Sequence, residues 1–346
     1  MTKLDYLFNI VKKLTKGLNA VTHKKLLICI ALMLSVPFSS AEAANKKHVK
    51  HPNQLATKHA KKRIHAKLNR KHIHQVNYDV DAFDRKSHVT GELALASSKA
   101  LVMDQATGEI IYAKNINTPT PIASVTKLMT AMVMLDAHLP MDETLVVTDE
   151  DVDKLRGSSS KLPVGSQLTR AELLHMAIMS SENRAASALG RNYPGGMVAF
   201  VSAMNEKARL LGMANTHFVD PTGLHSENMS TASDLSKMVK AAYNYPQIRE
   251  VSTSPSQAFR FNTRRGPVNF ANTNALVRNN NQKWVIGLSK TGYISEAGRC
   301  LVMQAEISGK SVVLVLLDSM GKFSRIGDAE RIRKWMEAGQ FPSHLG

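Results

Sequence analysis

Strand-like segments stand at both ends of the part of this chain that reads as folded, and helix-like segments fill the middle. "ALVMDQATGEIIYAKN", starting near Ala100, reads as two strands joined at a turn on Gly108. The next strand patterns, "WVIGLSKTGY", "RCLVMQAEI" and "SVVLVLLDS", begin only at Trp284. Between them, "TRAELLHMAIMSSENRAASALG" opens with a capping box, Thr169 followed three residues later by Glu172, ahead of an apolar periodic run. "GGMVAFVSAMNEKARLLG" and "STASDLSKMVKAAYNY" also carry helical spacing, and "SRIGDAERIRKWMEAG" predicts a closing helix. Such an order predicts one mixed sheet assembled from distant segments, with a helical subdomain inserted between them.

The region before those strands has a different character. Residues 1–43 read as an export signal: Lys12, Lys13, Lys16, Lys24 and Lys25 precede the apolar "LLICIALMLSVPF", and "AEA" ending at Ala43 fits a small-x-small cleavage site. The apolar run falls short of the roughly 20 residues a membrane span needs. Cleavage after Ala43 and a periplasmic location are therefore expected, with an uncleaved anchor as the alternative. Cys29 sits inside the apolar run behind the bulky Ile28, which argues against lipidation. Residues 44–93 are basic, hold seven of the 13 histidines and lack a sustained apolar face, so a disordered tether is expected. Weak contact of this tether with anionic envelope polymers or a membrane surface is a second reading.

Charge is distributed accordingly. Of 45 Lys/Arg and 28 Asp/Glu, 18 and five fall in the first 90 residues, leaving 27 against 23 on the remainder. A net of +4 gives no support for nucleic-acid binding by the folded part, expected at 94–338 with a short tail at 339–346. With the signal removed only Cys300 remains, which excludes an internal disulfide, and its strand context reads as a small buried hydrophobe. No spacing points to a metal, nucleotide or redox cofactor.

Ser-x-x-Lys occurs three times, at Ser124/Lys127, Ser158/Lys161 and Ser319/Lys322. Ser158 is hemmed by Gly157, Pro163 and Gly165, and Ser319 is followed by Gly321, so both read as turns or strand ends. Only Ser124 opens a helix, "PIASVTKLMTAMVMLDA", on which residues 124, 127, 128, 131 and 135 share a face. A serine hydroxyl needs a base to become a nucleophile. Lysine is a poor base at its free pKa of about 10.4, but burial or a second cation lowers that value. The alternative is a capping serine beside a lysine that snorkels to water. Two further motifs bear on the choice. Ser181-Glu182-Asn183 follows an apolar helix, whereas its decoy Ser226-Glu227-Asn228 lies in a polar loop. Lys290-Thr291-Gly292 closes an apolar strand: Lys290 brings a second cation, Thr291 a hydroxyl for a carboxylate, and Gly292 room for a substrate backbone.

Ser-x-x-Lys, Ser-Asp-Asn and Lys-Thr-Gly together are the signature of penicillin-binding proteins and class A β-lactamases, with Glu182 here in place of the Asp. Including "YPGG", "DPTGL", "AGRCLVM" and "IGDAERIRKW", the chain resembles the low-molecular-mass, S11-type serine DD-peptidases over about 94–338. The resemblance implies an α+β (mixed α/β) fold of the β-lactamase/DD-peptidase type: an antiparallel sheet flanked by helices, with an inserted mostly helical subdomain. It implies that Ser124 attacks a D-alanyl peptide carbonyl, Lys127 takes its proton and Ser181 relays a proton to the leaving amine. Asn183, Lys290, Thr291 and Gly292 would hold substrate, and the backbone N–H groups of Ser124 and Tyr293 would hold the oxyanion. Peptidoglycan is the implied substrate and β-lactams the implied covalent inhibitors. No Glu-x-x-Leu-Asn segment supplies a β-lactamase's deacylating glutamate. The end of the chain soon after the last helix favours a compact D-alanyl-D-alanine endopeptidase over a carboxypeptidase, and a non-catalytic wall-binding module is a third reading.

Overall fold

Apolar runs without polar interruption form the middle of the sheet, because they are buried on both faces. The computed structural model describes residues 93–279 and 283–339. The expected signal segment and nearly all of the tether lie outside these residues. Five strands form the main sheet: β1 (Ser97–Asp104), β2 (Ile110–Lys114), β3 (Val285–Ile294), β4 (Gly298–Ile307) and β5 (Lys310–Ser319). Their order is β2-β1-β5-β4-β3, and every pairing is antiparallel. The mixed sheet expected from the strand spacing is thereby corrected. Tight turns link β1 to β2 and β3 through β5, and the chain's long excursion returns β5 antiparallel to β1.

Along β5 the side chains divide with a period of two. Val313, Val315 and Leu317 enter one core, while Val312, Leu314 and Leu316 enter the other. The second core is covered by the final helix, whose Ile332, Trp335 and Met336 pack there with Leu301 and Met303 of β4. The first core joins the sheet to the inserted helices: α1 (Lys127–Asp136), α2 (Arg170–Met179), α3 (Asn183–Arg191), α4 (Gly196–Leu210), α5 (Ala232–Tyr243) and α6 (Pro246–Thr253). The final helix is α7 (Ser324–Glu337). Among the described residues no helix is long and apolar enough to cross a membrane.

The capping box at Thr169 and Glu172 forms as expected. The run after it does not continue as one helix: α2 stops at Met179 and α3 begins at Asn183, with Ser181 in the left-handed region at φ +62°. Sequence spacing also missed α6 and a two-stranded hairpin, Ser256–Arg260 with Pro267–Ala271. Cys300 is fully buried, and burial pushes its thiol up to about 11, in keeping with a packing role.

A buried carboxylate ties α7 to the start of β1. Asp328 accepts from the backbone N–H of Ala96 (2.9 Å) and Ser97 (2.7 Å), from Ser97 Oγ and from Arg331. Replacing Asp328 with Ala leaves these donors unpaired, and we expect a loss of about 3 kcal/mol, or roughly 6–12 °C in Tm by calorimetry for a domain of this size.

Candidate active site

Lys127 has no exposed surface, so it does not snorkel. Ser124 lies in a 3₁₀ turn, Ala123–Thr126, that runs into α1, which places Lys127 on the first turn of the α-helix. Its Nζ donates to Ser124 Oγ at 2.8 Å, Asn183 Oδ1 at 2.7 Å and the Thr222 carbonyl at 2.6 Å. Burial lowers its pKa to about 7, while Asp220 and Glu182 pull the other way. Burial, not a second cation, is thus the main cause of the shift. The three acceptors match the three N–H bonds of an ammonium group. A neutral amine keeps two of them, for Asn183 and Thr222, and turns its lone pair toward the Ser124 hydroxyl.

Lys290 is 1% exposed and donates to Ser181 Oγ at 2.8 Å and to the Thr291 carbonyl at 3.0 Å. Burial holds it well below the ordinary lysine range, helped by repulsion from Lys127 and Arg325. Thr291 Oγ1 bonds Thr273 Oγ1 at 2.7 Å. Gly292 lets β3 approach the Ser124 turn: a Cβ there would sit 2.9 Å from the Ile122 carbonyl and 3.0 Å from the Ser124 nitrogen. Tyr293 is exposed and lies under the Arg299 guanidinium. The seven site residues expected from the three motifs, with Tyr293 next to the last, therefore lie together at a site assembled from the 3₁₀ turn and α1, the α2–α3 junction and β3.

Several contributors were not read from the sequence. Ser158, set aside as turn chemistry, accepts from Asn183 Nδ2 at 3.0 Å, and so fixes which amide atom faces Lys127. Ser319 bonds Ser97 in the sheet and takes no part in the site. Glu182, the departure from the family signature, caps α3 through Arg184 N and so anchors Asn183. The Thr222 carbonyl is presented by a turn built on Asp220, whose carboxylate accepts from the Thr222, Gly223 and His225 nitrogens and from Asn228 Nδ2. The supposed decoy Asn228 is therefore a buried brace for that turn. Arg325 donates to the Gly292 carbonyl at 3.0 Å, and burial lowers it to about 10. The motif "DPTGL" and an arginine one helix beyond the last strand were the available signals.

Two of the six described non-glycine residues with left-handed backbone lie at the site. Ala123 (φ +48°) directly precedes Ser124, Ser181 adopts φ +62°, and such left-handed non-glycine residues persist only where their surroundings enforce them. A cavity of about 380 Å³, lined by Asp153, Leu155, Asn183, Thr222 and Leu224 among others, opens beside the site.

Residues 85–321 match the S11 peptidase family, described as D-alanyl-D-alanine carboxypeptidase. A D-alanyl-D-alanine endopeptidase of Pseudomonas aeruginosa is 50% identical over 246 residues, 71% of this chain and 79% of that protein. Its namesake in Escherichia coli K12 is 46% identical over the same shares. The crystal structure of the Streptomyces K15 DD-transpeptidase superposes with a TM-score of 0.65 at 29% identity, covering 70% of this chain and 98% of that one. The chain belongs to the S11 family of serine DD-peptidases.

Gly223 (φ +79°) packs directly against Ala123, and a Cβ at that position would overlap the Ala123 carbonyl. We expect Gly223→Ala to displace Ser124 and slow acylation by a fluorescent penicillin by about 100-fold, with the circular dichroism spectrum unchanged.

Proposed function

We propose that this chain is a periplasmic D-alanyl-D-alanine endopeptidase that hydrolyses peptide cross-links of peptidoglycan through an acyl-enzyme on Ser124. The observation that carries the mechanism is a fully buried Lys127, lowered to about 7, within 2.8 Å of the only hydroxyl that heads a helix in a Ser-x-x-Lys motif. Neutral Lys127 takes the Ser124 proton as Oγ attacks the D-alanyl carbonyl. The oxyanion sits between the N–H groups of Ser124 and Tyr293, where fixed donors meet the developing charge. Ser181, polarised by Lys290, hands its own proton to the leaving amine as it takes up the one Lys127 gained from Ser124, which returns Lys127 to the neutral form. Asn183 holds the substrate amide, and Lys290 and Thr291 hold the carboxylate next to the scissile bond. Water then hydrolyses the ester, with Lys127 as the base again. β-Lactams acylate the same serine.

Support for the endopeptidase reading comes from the two relatives at 46–50% identity that carry that name. The family description names a carboxypeptidase, which would use the same groups on a pentapeptide stem and is the second reading. Export across the inner membrane rests on the sequence pattern of residues 1–43. The basic segment after it would act as a tether, with weak affinity for anionic envelope polymers.

Ser124→Ala is expected to abolish covalent labelling by a fluorescent penicillin, whereas Ser319→Ala keeps it and Ser158→Ala keeps it at a reduced rate. In the wild type the acylation rate should rise with pH through about 7 and then level off, because Lys127 loses its proton there. A rate still climbing above about pH 9 would mean a lysine of ordinary basicity. Incubation with cross-linked muropeptide dimers and with monomeric pentapeptide, followed by mass spectrometry, separates the two activities. Dimers falling to monomers establish the endopeptidase, and release of D-alanine with dimers intact establishes the carboxypeptidase.

A further inference from the structure

Between Glu250 and Glu296 the chain has no acidic residue and six basic ones. Three of these, Arg260, Arg264 and Arg265, lie on the hairpin formed by Ser256–Arg260 and Pro267–Ala271, and all three are exposed. None of them takes part in any ion pair of the described residues, although most other arginines of the domain are paired or hydrogen-bonded. Unpaired cations on a rigid mount differ from cations on a floppy tip, because little backbone freedom remains to be lost on binding. This mount is rigid. Phe259, Phe261 and Phe270 are buried beneath it in edge-to-face contacts, and Asn262 and Thr263 bond the Gly165 carbonyl, the Gln167 nitrogen and Ser166 Oγ.

The hairpin also borders the active site at two points. Its second strand leads directly to Thr273, whose hydroxyl bonds that of Thr291. Its flank is held by Lys161, which donates to the Asn269 carbonyl and lies over the Phe270 ring, three residues after the serine that bonds Asn183. With the carboxylate beside the scissile bond held at Lys290 and Thr291, as proposed above, the hairpin that follows from Thr273 stands on the leaving-group side.

We propose that Arg260, Arg264 and Arg265, with Lys161 beside them, form an exosite for carboxylates of the leaving peptide stem, an inference that rests on the endopeptidase reading. The two candidate reactions differ in that leaving group. A carboxypeptidase releases one D-alanine, about 3.5 Å long, whereas the hairpin tip stands roughly 25 Å of strand beyond Thr273. An endopeptidase releases a second stem, a peptide of up to five residues with acidic groups of its own, which when extended reaches about 18 Å along the hairpin and is met there by the long arginine side chains. Charge complementarity at that distance would favour the polymeric substrate without touching the reacting atoms.

The test uses the full chain with Arg264→Gln/Arg265→Gln and with Arg264→Glu/Arg265→Glu. Each is assayed on muropeptide dimers and monomeric pentapeptide at low and high salt, and for binding to vesicles containing phosphatidylglycerol. For the glutamine pair we expect the KM for dimers to rise about 5-fold and its salt dependence to flatten. The glutamate pair should be worse, with penicillin acylation and pentapeptide hydrolysis as in the wild type. An unchanged KM for dimers, or equal losses on dimers and monomers, overturns the exosite while leaving the endopeptidase reading intact. Lost vesicle binding with an unchanged dimer KM also overturns it, reassigning the patch to lipid headgroups. A wild type that leaves dimers intact overturns the endopeptidase reading, and the exosite with it.

Discussion

Taking one ammonium group out of water dictates the rest of the site. Lys127 is enclosed by the apolar head of α1, and a charge so placed is costly unless every N–H is matched. The three acceptors that match it come from three separate parts of the chain: Ser124 on its own turn, Asn183 from the α2–α3 junction and Thr222 from the loop after α4. Two of the acceptors have anchors of their own. Asp220 shapes the Thr222 turn, Glu182 caps the helix that carries Asn183, and Ser158 orients the Asn183 amide. All three acceptors are neutral, so they satisfy the N–H groups without cancelling the charge, and burial lowers the lysine to about 7.

The sheet supplies the opposite wall. β3 is an edge strand, and edge strands invite further pairing unless covered. Here Ile122, Ala123 and Ser124 lie close to Gly292 and cover that part of the strand. Arg325, reaching from α7 to the Gly292 carbonyl, brings positive charge from behind the strand. Lys290 bonds Ser181 rather than a carboxylate, so both lysines of the site are tied to hydroxyls and none to an acid.

Much of this was legible from the order of residues, and the exceptions share a cause. Apolar runs and a capping box marked β3, β4, β5 and α2, because burial and capping are local signals. Three short motifs marked the residues that converge, because each sits at the end of a well-patterned element. Ser158 and Asn228 were rightly set apart from the motifs, but their bracing contacts went unread, because a polar residue in a turn looks the same whether it faces solvent, holds a loop 8 residues back or orients an amide 25 residues on. The break at Ser181 was hidden because "SSEN" carries no glycine or proline, and its left-handed backbone is enforced by packing. The hairpin escaped notice because its alternation, Phe259, Phe261 and Phe270, becomes a pattern only when its two strands are paired.

β1 and β5 lie side by side at the middle of the sheet, with Ser97 opposite Ser319. The sheet thus cannot be closed around its own centre until almost the whole domain has been synthesised, and contacts of such long range form slowly. A nascent chain of this kind stays open and threadable for most of its synthesis. The candidate site shares that delay, because Lys290 and Thr291 stand on β3 and cannot meet Ser181 and Thr273 until that strand has been made.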